Sequence, residues 1–500
     1  MSDVVIAGGG SVGLATAVFL AHHGVRAHVV ERRGALSEHP RALGLSPRTL
    51  EFFREAGLSA ALDAVAVRSA ELWKADARTV AEIDREHTPS GPPFAQSDLS
   101  PETPRGHYPQ DRLDAALLPA ARERGVRVDF GVAVTAVAQD TDGVSVTLSD
   151  GRALRTRYLV GADGVGTVVR PAAGIGTTGP GEVGEPVRNI LFEADLVGFF
   201  GAMPVMTEIR HPGVRGMLLS VGERRWVLHT GAPAAPAELV RTALGADVPV
   251  RVIAAKWWRP TLRMARQFRA GRVFLAGDAA RAIPPLGAFG LNSGLADGHN
   301  LAWKLAMVLA GQAGESLLDT YHDERHAVSE LVTRQAVLRW ENPRLHWDPR
   351  AVAERAAAGA WNAPMVTMGY RYDSSAVIGA VAEPPSTEDV AASRDGAPGS
   401  LLPHHWAAPG VSTLDLVRSG FTVFAAGPEW AEAAAKAGAR LGLPVGAATV
   451  PSRAWLSTVG IAAGGALLVR PDGFVAWRSP VAVPDPDAVL ERVLTRVTGR

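Results

Sequence analysis

The residues of this chain best suited to chemistry lie in three turns of glycine and acid, far apart in sequence. The first is Gly8-Gly9-Gly10-Ser11-Val12-Gly13, a GxGxxG spacing. It follows the β-branched run Val4-Val5-Ile6-Ala7 and opens a helical stretch from Leu14 to His23, which stops at Gly24. A second strand pattern, Arg26 to Glu31, ends on an acid. In such a unit Gly8 permits a tight turn, Gly10 lets the backbone approach a pyrophosphate, and Gly13 lets helix and strand pack closely. The helix N-terminus, with Ser11 and Val12 just ahead of it, offers amides and partial positive charge to the phosphates. Glu31, eighteen residues past Gly13 and followed by Arg32, suits the two hydroxyls of an adenosine ribose. Strand, glycines, helix, strand and acid in register predict a dinucleotide site, but the motif alone does not distinguish NAD from FAD.

The second turn is Asp163-Gly164, at the end of the hydrophobic run Tyr158-Leu159-Val160-Gly161, with a helix predicted from Val165 to Arg170. The third is Gly277-Asp278, closing the run Val273-Phe274-Leu275-Ala276. Pro284-Pro285-Leu286-Gly287-Ala288-Phe289-Gly290 and Leu291-Asn292-Ser293-Gly294 follow, before a helix predicted over Leu295 to Leu309. A pure dehydrogenase would continue in regular βα repeats. Here Glu31 leads instead to His39-Pro40-Arg41, and then to Ser46-Pro47, an N-cap with proline at the first helical position, starting a helix that Gly57 ends.

These elements need a chain large enough to hold them. Five hundred residues predict two to four domains. Fifty-one basic residues balance fifty-one acidic ones, so no net field draws in nucleic acid. The absence of cysteine excludes disulfides, thiolate metal sites and cysteine nucleophiles, and only four lysines occur. No basic leader precedes the first strand, so a cytoplasmic protein is expected. The uncharged stretch from Val4 to Val25 has the length of a membrane span, but its glycines and His22-His23 point to a turn between two elements, and no membrane partner is expected. His322 and His326 share a helix face, yet with no third ligand evident no metal site is predicted.

Taken together, the three turns and their order resemble the single-component, p-hydroxybenzoate hydroxylase-like FAD aromatic hydroxylases. Within them the chain is most similar to the actinobacterial polyketide hydroxylases of the aklavinone hydroxylase kind. Val29-Val-Glu-Arg-Arg33, Tyr158-Leu-Val-Gly-Ala-Asp-Gly164, Gly369-Tyr-Arg-Tyr-Asp-Ser-Ser-Ala376 and Gly465 to Arg478 carry the likeness over the whole length. The resemblance implies that Gly8, Gly10 and Gly13 cradle the FAD pyrophosphate and Glu31 holds the ribose. It implies that Arg41, Gln110 and Arg112 touch the phosphate and ribityl region, and that Asp163 and Gly164 serve FAD and the reduced nicotinamide. Asp278 would bond the ribityl chain or phosphates, while Pro285, Gly287 and Gly290 let backbone pass the isoalloxazine. Amides near Leu291 and Asn292 would face the anionic reduced ring. It further implies NADPH or NADH as reductant, O₂ as co-substrate, a flavin C4a-hydroperoxide as oxidant, and a polycyclic aromatic polyketide as substrate. Arg371 is the candidate for contact with the substrate's phenol or carbonyl oxygen; a structural ion pair with a carboxylate is the competing role. Relatives often place a tyrosine on the sheet facing the flavin, and none occurs around Thr207-Glu208-Ile209 or Val227-Leu228-His229. Baeyer–Villiger or ring-modifying chemistry therefore stays open as an alternative. Trp257-Trp258 reads as packing or as the lining of a polycyclic pocket.

The expected fold class is α/β: a Rossmann-like FAD domain, a β-sheet substrate domain and a C-terminal thioredoxin-like domain. Residues 1–70, 100–180 and 270–390 are assigned to the first, 71–99 and 181–269 to the second. Residues 400–500, beyond a Pro/Gly-rich linker, form the third, which without cysteine has a structural or dimer-contact role. Monomer and homodimer are both compatible with this reading.

Overall fold

The computed structural model describes residues 2–68, 72–91, 98–417, 419–450 and 452–500. Two stretches assigned to the substrate domain, the run starting at Ala70-Glu71 and the Pro/Gly-rich segment around 88–104, fall partly outside the described residues. The fold is the expected mixed α/β arrangement. Val4–Ala7 lies between Ala27–Glu31 and Tyr158–Gly161, parallel to both, with Val5 opposite His28 and Leu159. Val273–Leu275 and Arg127–Phe130 extend this sheet on either side. Val4–Ala7, Tyr158–Gly161 and Val273–Leu275 are continuous apolar runs because both faces of the sheet are buried there. The Ser11–His22 and Phe289–Leu309 helices cross on one face, where a side chain at Gly298 would run into Thr16.

A second six-stranded sheet runs in the order Arg251–Trp258, Val187–Glu193, Arg225–Thr230, Gly216–Ser220, Pro204–Ile209, Leu72–Ala77. One of its faces, with Ile190, Phe192, Trp226 and Leu228, packs against the Pro236–Leu244 helix. The C-terminal unit places Phe421–Ala425 between Val445–Ala448, parallel, and Ala466–Val469, antiparallel, with the Glu429–Leu441 and Pro486–Val497 helices alongside. This is a thioredoxin-like order.

Three local expectations shift. The first helix, expected from Leu14, already begins at Ser11. No helix spans Val165 to Arg170: only Val169–Ala172 is helical, because Gly164 turns into the left-handed region and Asp163 Oδ2 accepts from the Val168 and Val169 amides, starting the helix later. The helix expected at Leu295 begins at Phe289. The Pro47–Glu55 helix is capped as read, Ser46 Oγ accepting from Thr49 N at 3.2 Å. Among the described residues no helix is long and apolar enough to cross a membrane.

Candidate functional site

The three turns meet. Gly8, at φ +108°, lies so close to the Ala162 carbonyl that any side chain would collide with it, and a side chain at Gly13 would strike the Gly8 carbonyl. This locks the first turn to the Asp163 turn. Val12 supplies the second junction: its methyls fill the space over Gly277 and Gly294, joining the first turn to the third. Gly10 differs, with nothing within 4 Å of the space a side chain would take. The Ser11–His22 helix behind it has no side-chain cap and no acid in its first turn, so its amides and dipole are left for an anion.

Around this opening the charged groups are already oriented. Glu31 is buried at its strand's end, Oε2 accepting from Gly9 N at 2.7 Å and Oε1 from Arg33 N at 2.9 Å. One lone pair per oxygen remains for a diol. Arg32 and Arg41 are exposed. Ala42 O and Leu43 O accept from Gln110 N (3.0 Å) and Tyr108 N (2.6 Å), which carries Arg41 to the start of the Gln110–Glu123 helix bearing Arg112. Asp163 keeps one buried carboxylate oxygen, Oδ1, without a partner. Asp278 reaches solvent but is walled in by protein, and this desolvation pushes its carboxyl upward despite Arg281 and Arg41.

Farther along, Gly287 and Ala288 both adopt positive φ, and Ala288 (φ 54°) is the one non-glycine residue among those described to do so. Such backbone persists where surrounding structure holds it. Here Asn292 is part of the hold. Its amide donates to Ala288 O (2.9 Å) and Gly44 O (3.1 Å), while Oδ1 accepts from Ser46 N (2.8 Å) and Thr49 Oγ1 (2.7 Å). The Asn292 side chain is thereby spent on positioning the 285–292 turn, leaving the backbone amides there for a ligand. Pro285 lies on the turn before Phe289, and Gly290 and Leu291 lie in the first turn of the Phe289–Leu309 helix. A dinucleotide fits this set: an open glycine before an uncapped helix, an oriented acid for a ribose, and an orphaned buried carboxylate oxygen.

Arg371 is held by its own set of partners. Its guanidinium is buried, paired with Asp395 Oδ1 at 2.9 Å, and donates to Ser393 O (3.1 Å) and Val381 O (3.4 Å). These contacts match the ion-pair role. Trp258, half-buried, donates to Asn189 Oδ1 at 2.6 Å, whereas Trp257 is half-exposed beneath Arg188. Among the described residues no group of His, Asp or Glu is arranged to hold a metal.

Sequence reading missed Asp114, whose carboxyl accepts from Ser11 Oγ and is pushed up to about 7 by burial. An acid four residues past Gln110 on an amphipathic helix gave no signal of that placement. It also missed Asp297, buried between Arg281 (2.7 Å) and Arg325 (2.8 Å) and accepting from Gly277 N (3.0 Å), which holds the third turn in place.

Residues 1–336 match the FAD binding domain family, and residues 395–500 match the aromatic-ring hydroxylase C-terminal family. The chain is 39% identical to a tetracenomycin B2 monooxygenase-dioxygenase of Streptomyces olivaceus, covering 99% of this chain and 98% of that one. It is 37% identical to aklavinone 12-hydroxylase RdmE of Streptomyces purpurascens, covering 100% and 99%. A crystal structure of aklavinone-11 hydroxylase with FAD and aklavinone superposes with a TM-score of 0.89 at 36% identity, over 100% of this chain and 99% of that one.

Proposed function

This chain belongs to the FAD-dependent aromatic-ring hydroxylases, and we propose that it places one oxygen atom from O₂ on a polycyclic aromatic polyketide, with NADPH or NADH as reductant. The observation that carries the reading is the convergence of the three turns on one opening, joined through Gly8–Ala162 and Val12–Gly277. FAD, when bound, supplies the redox chemistry and the activation of oxygen. The polypeptide's part is to bind, orient and exclude water.

In this reading Gly8, Gly10, Gly13, Ser11 and Val12 present the helix amides to the pyrophosphate, and Glu31 with Arg32 takes the adenosine ribose. Arg41, Gln110 and Arg112 would touch the phosphate and ribityl region. Asp163 would offer its free Oδ1 and Gly164 its backbone, and Asp278 would bond the ribityl chain or the phosphate region. Pro285, Gly287 and Gly290 would line the isoalloxazine, and the amides of Leu291 and Asn292 would offer it partial positive charge. The names of the relatives, tetracenomycin and aklavinone enzymes among them, support a polycyclic substrate. It would lie between the 285–292 turn and the second sheet, in a space whose closure protects the oxidant from water.

The test is direct. Purified protein saturated with FAD should oxidise NADPH or NADH faster when a polycyclic phenol is added, and the product should gain the mass of one oxygen. Reductant oxidation indifferent to every polycyclic phenol tried would refute the substrate class.

A further inference from the structure

The second sheet turns one face toward the 36–45 segment, and strand register fixes what that face carries. Residues directly paired across strands share a face. Asn189 is opposite Lys256 on one side and His229 on the other, so Lys256, Asn189 and His229 form one polar row. Two residues along, Ala254, Leu191, Val227 and Leu219 form a parallel apolar row, packed against Leu43. A flat ring system with oxygens along one edge matches this division.

The polar row also has unused capacity. Asn189 is held by Trp258 through its Oδ1. The His229 ring makes no hydrogen bond among the described residues and is half-buried toward the segment facing it. There lies His39, buried, with neither ring nitrogen partnered. Arg225 clamps this segment to the sheet, donating to Glu38 O at 2.9 Å and pairing with Asp111 at 2.8 Å. A buried imidazole with two unmet nitrogens calls for a partner.

We propose that the Lys256–Asn189–His229 row receives the oxygenated edge of the substrate, with His229 accepting the proton of a ring hydroxyl, Lys256 holding the phenolate and His39 bonding the same edge. The inference rests on the polycyclic substrate reading above and names the residues that serve it. In the step, the O–H bond breaks, its electron pair stays on oxygen, and the proton binds a ring nitrogen of His229. Burial keeps His229 neutral, its ring held down to about 4, and His39 is lowered likewise with help from Lys256 and Arg41. Each therefore arrives with a free lone pair, and a phenolate alongside offsets the desolvation that disfavours the imidazolium. The charged groups facing the pair are Lys256 on the sheet, Arg41 on the opposite segment, and Arg225 with its partner Asp111. At the far end of the row Glu208 and Asp76 are tied to Lys74 (3.6 and 3.4 Å).

The experiment uses oxidised holoenzyme without reductant and the dye 2-hydroxyanthraquinone, whose phenol and phenolate absorb at different wavelengths. Unsubstituted anthraquinone serves as a binding control. Wild type should bind the dye as the anion at a pH where the free dye is neutral. His229→Gln should retain FAD and bind anthraquinone unchanged, while the bound dye's ionisation moves to higher pH by about one unit or more, a tenfold loss of phenolate. Lys256→Met should shift it the same way, and His39→Gln less. If His229→Gln binds the dye with its ionisation unmoved, the proposal fails and the substrate reading stands. If wild type binds neither compound, the substrate reading fails and takes the proposal with it.

Discussion

Replacing Glu324 by glutamine should destabilise this protein more than replacing Glu324 and Lys304 together. Glu324 lies at the seam between the nucleotide-binding helices and the C-terminal unit, fully buried. Its carboxylate accepts from Arg470 Nη1 (2.5 Å) and Nη2 (2.9 Å), Lys304 Nζ (2.7 Å), Asn300 Nδ2 (2.8 Å) and Ser374 Oγ (2.7 Å). Arg470 also pairs with Asp472, which accepts from the Trp303 indole at 3.2 Å. Two acids and two bases thus share one dry site, and their charges cancel. Glu324→Gln leaves one buried positive charge uncompensated, at a cost of about 3–5 kcal/mol. Adding Lys304→Met restores neutrality and leaves the Arg470–Asp472 pair intact. The double variant should therefore recover part of the loss, with a coupling energy of about 1–3 kcal/mol. Urea unfolding followed by both tryptophan fluorescence and flavin release would measure the series. A double variant no more stable than Glu324→Gln alone would refute the charge argument and leave packing as the cause.

Three further outcomes follow from the site. Asp114, raised to about 7 by burial, holds its proton in the folded protein over a range where the unfolded chain has lost it, so its contribution to stability fades as pH rises from about 4 through 7. Asp114→Asn should accordingly flatten the pH dependence of stability in that window, and of FAD affinity measured by fluorescence titration, with the largest gain over wild type above pH 7. Gly10→Ala should give a folded protein with FAD affinity lowered by tenfold or more, because the added methyl meets only the ligand, whereas Gly13→Ala should express poorly because it strikes the Gly8 carbonyl. Arg371→Ala and Asp395→Asn should lower thermal stability alike, by about 1–3 kcal/mol given the partial exposure of Asp395, with kcat of the folded enzyme little changed. A large kcat loss in Arg371→Ala at unchanged stability would return Arg371 to the substrate.

The turns were legible because each states a local backbone requirement: a glycine where chains touch, a strand before it and a helix after it. The Ser46-Pro47 cap was legible for the same reason, since its bond to Thr49 spans three residues. Where local signals competed, reading was poorer. Asp163 delayed the helix expected at Val165 by taking the amides of Val168 and Val169 on itself, and the long helix started six residues early, at Phe289, in a stretch whose glycines argued for a loop.

Sequence by itself determined that three glycine-and-acid turns on buried strands would make a dinucleotide-binding α/β fold, and that a cysteine-free C-terminal unit would do no thiol chemistry. Only the tertiary structure decided which polar groups share a space. It paired Arg371 with Asp395, spent the Asn292 side chain on the backbone of its own turn, and set His229 in one cross-strand row with Asn189 and Lys256. Those choices depend on cross-strand register and on contacts between residues dozens to hundreds apart, where burial and charge act through distance in space, a quantity that residue spacing along a chain does not encode.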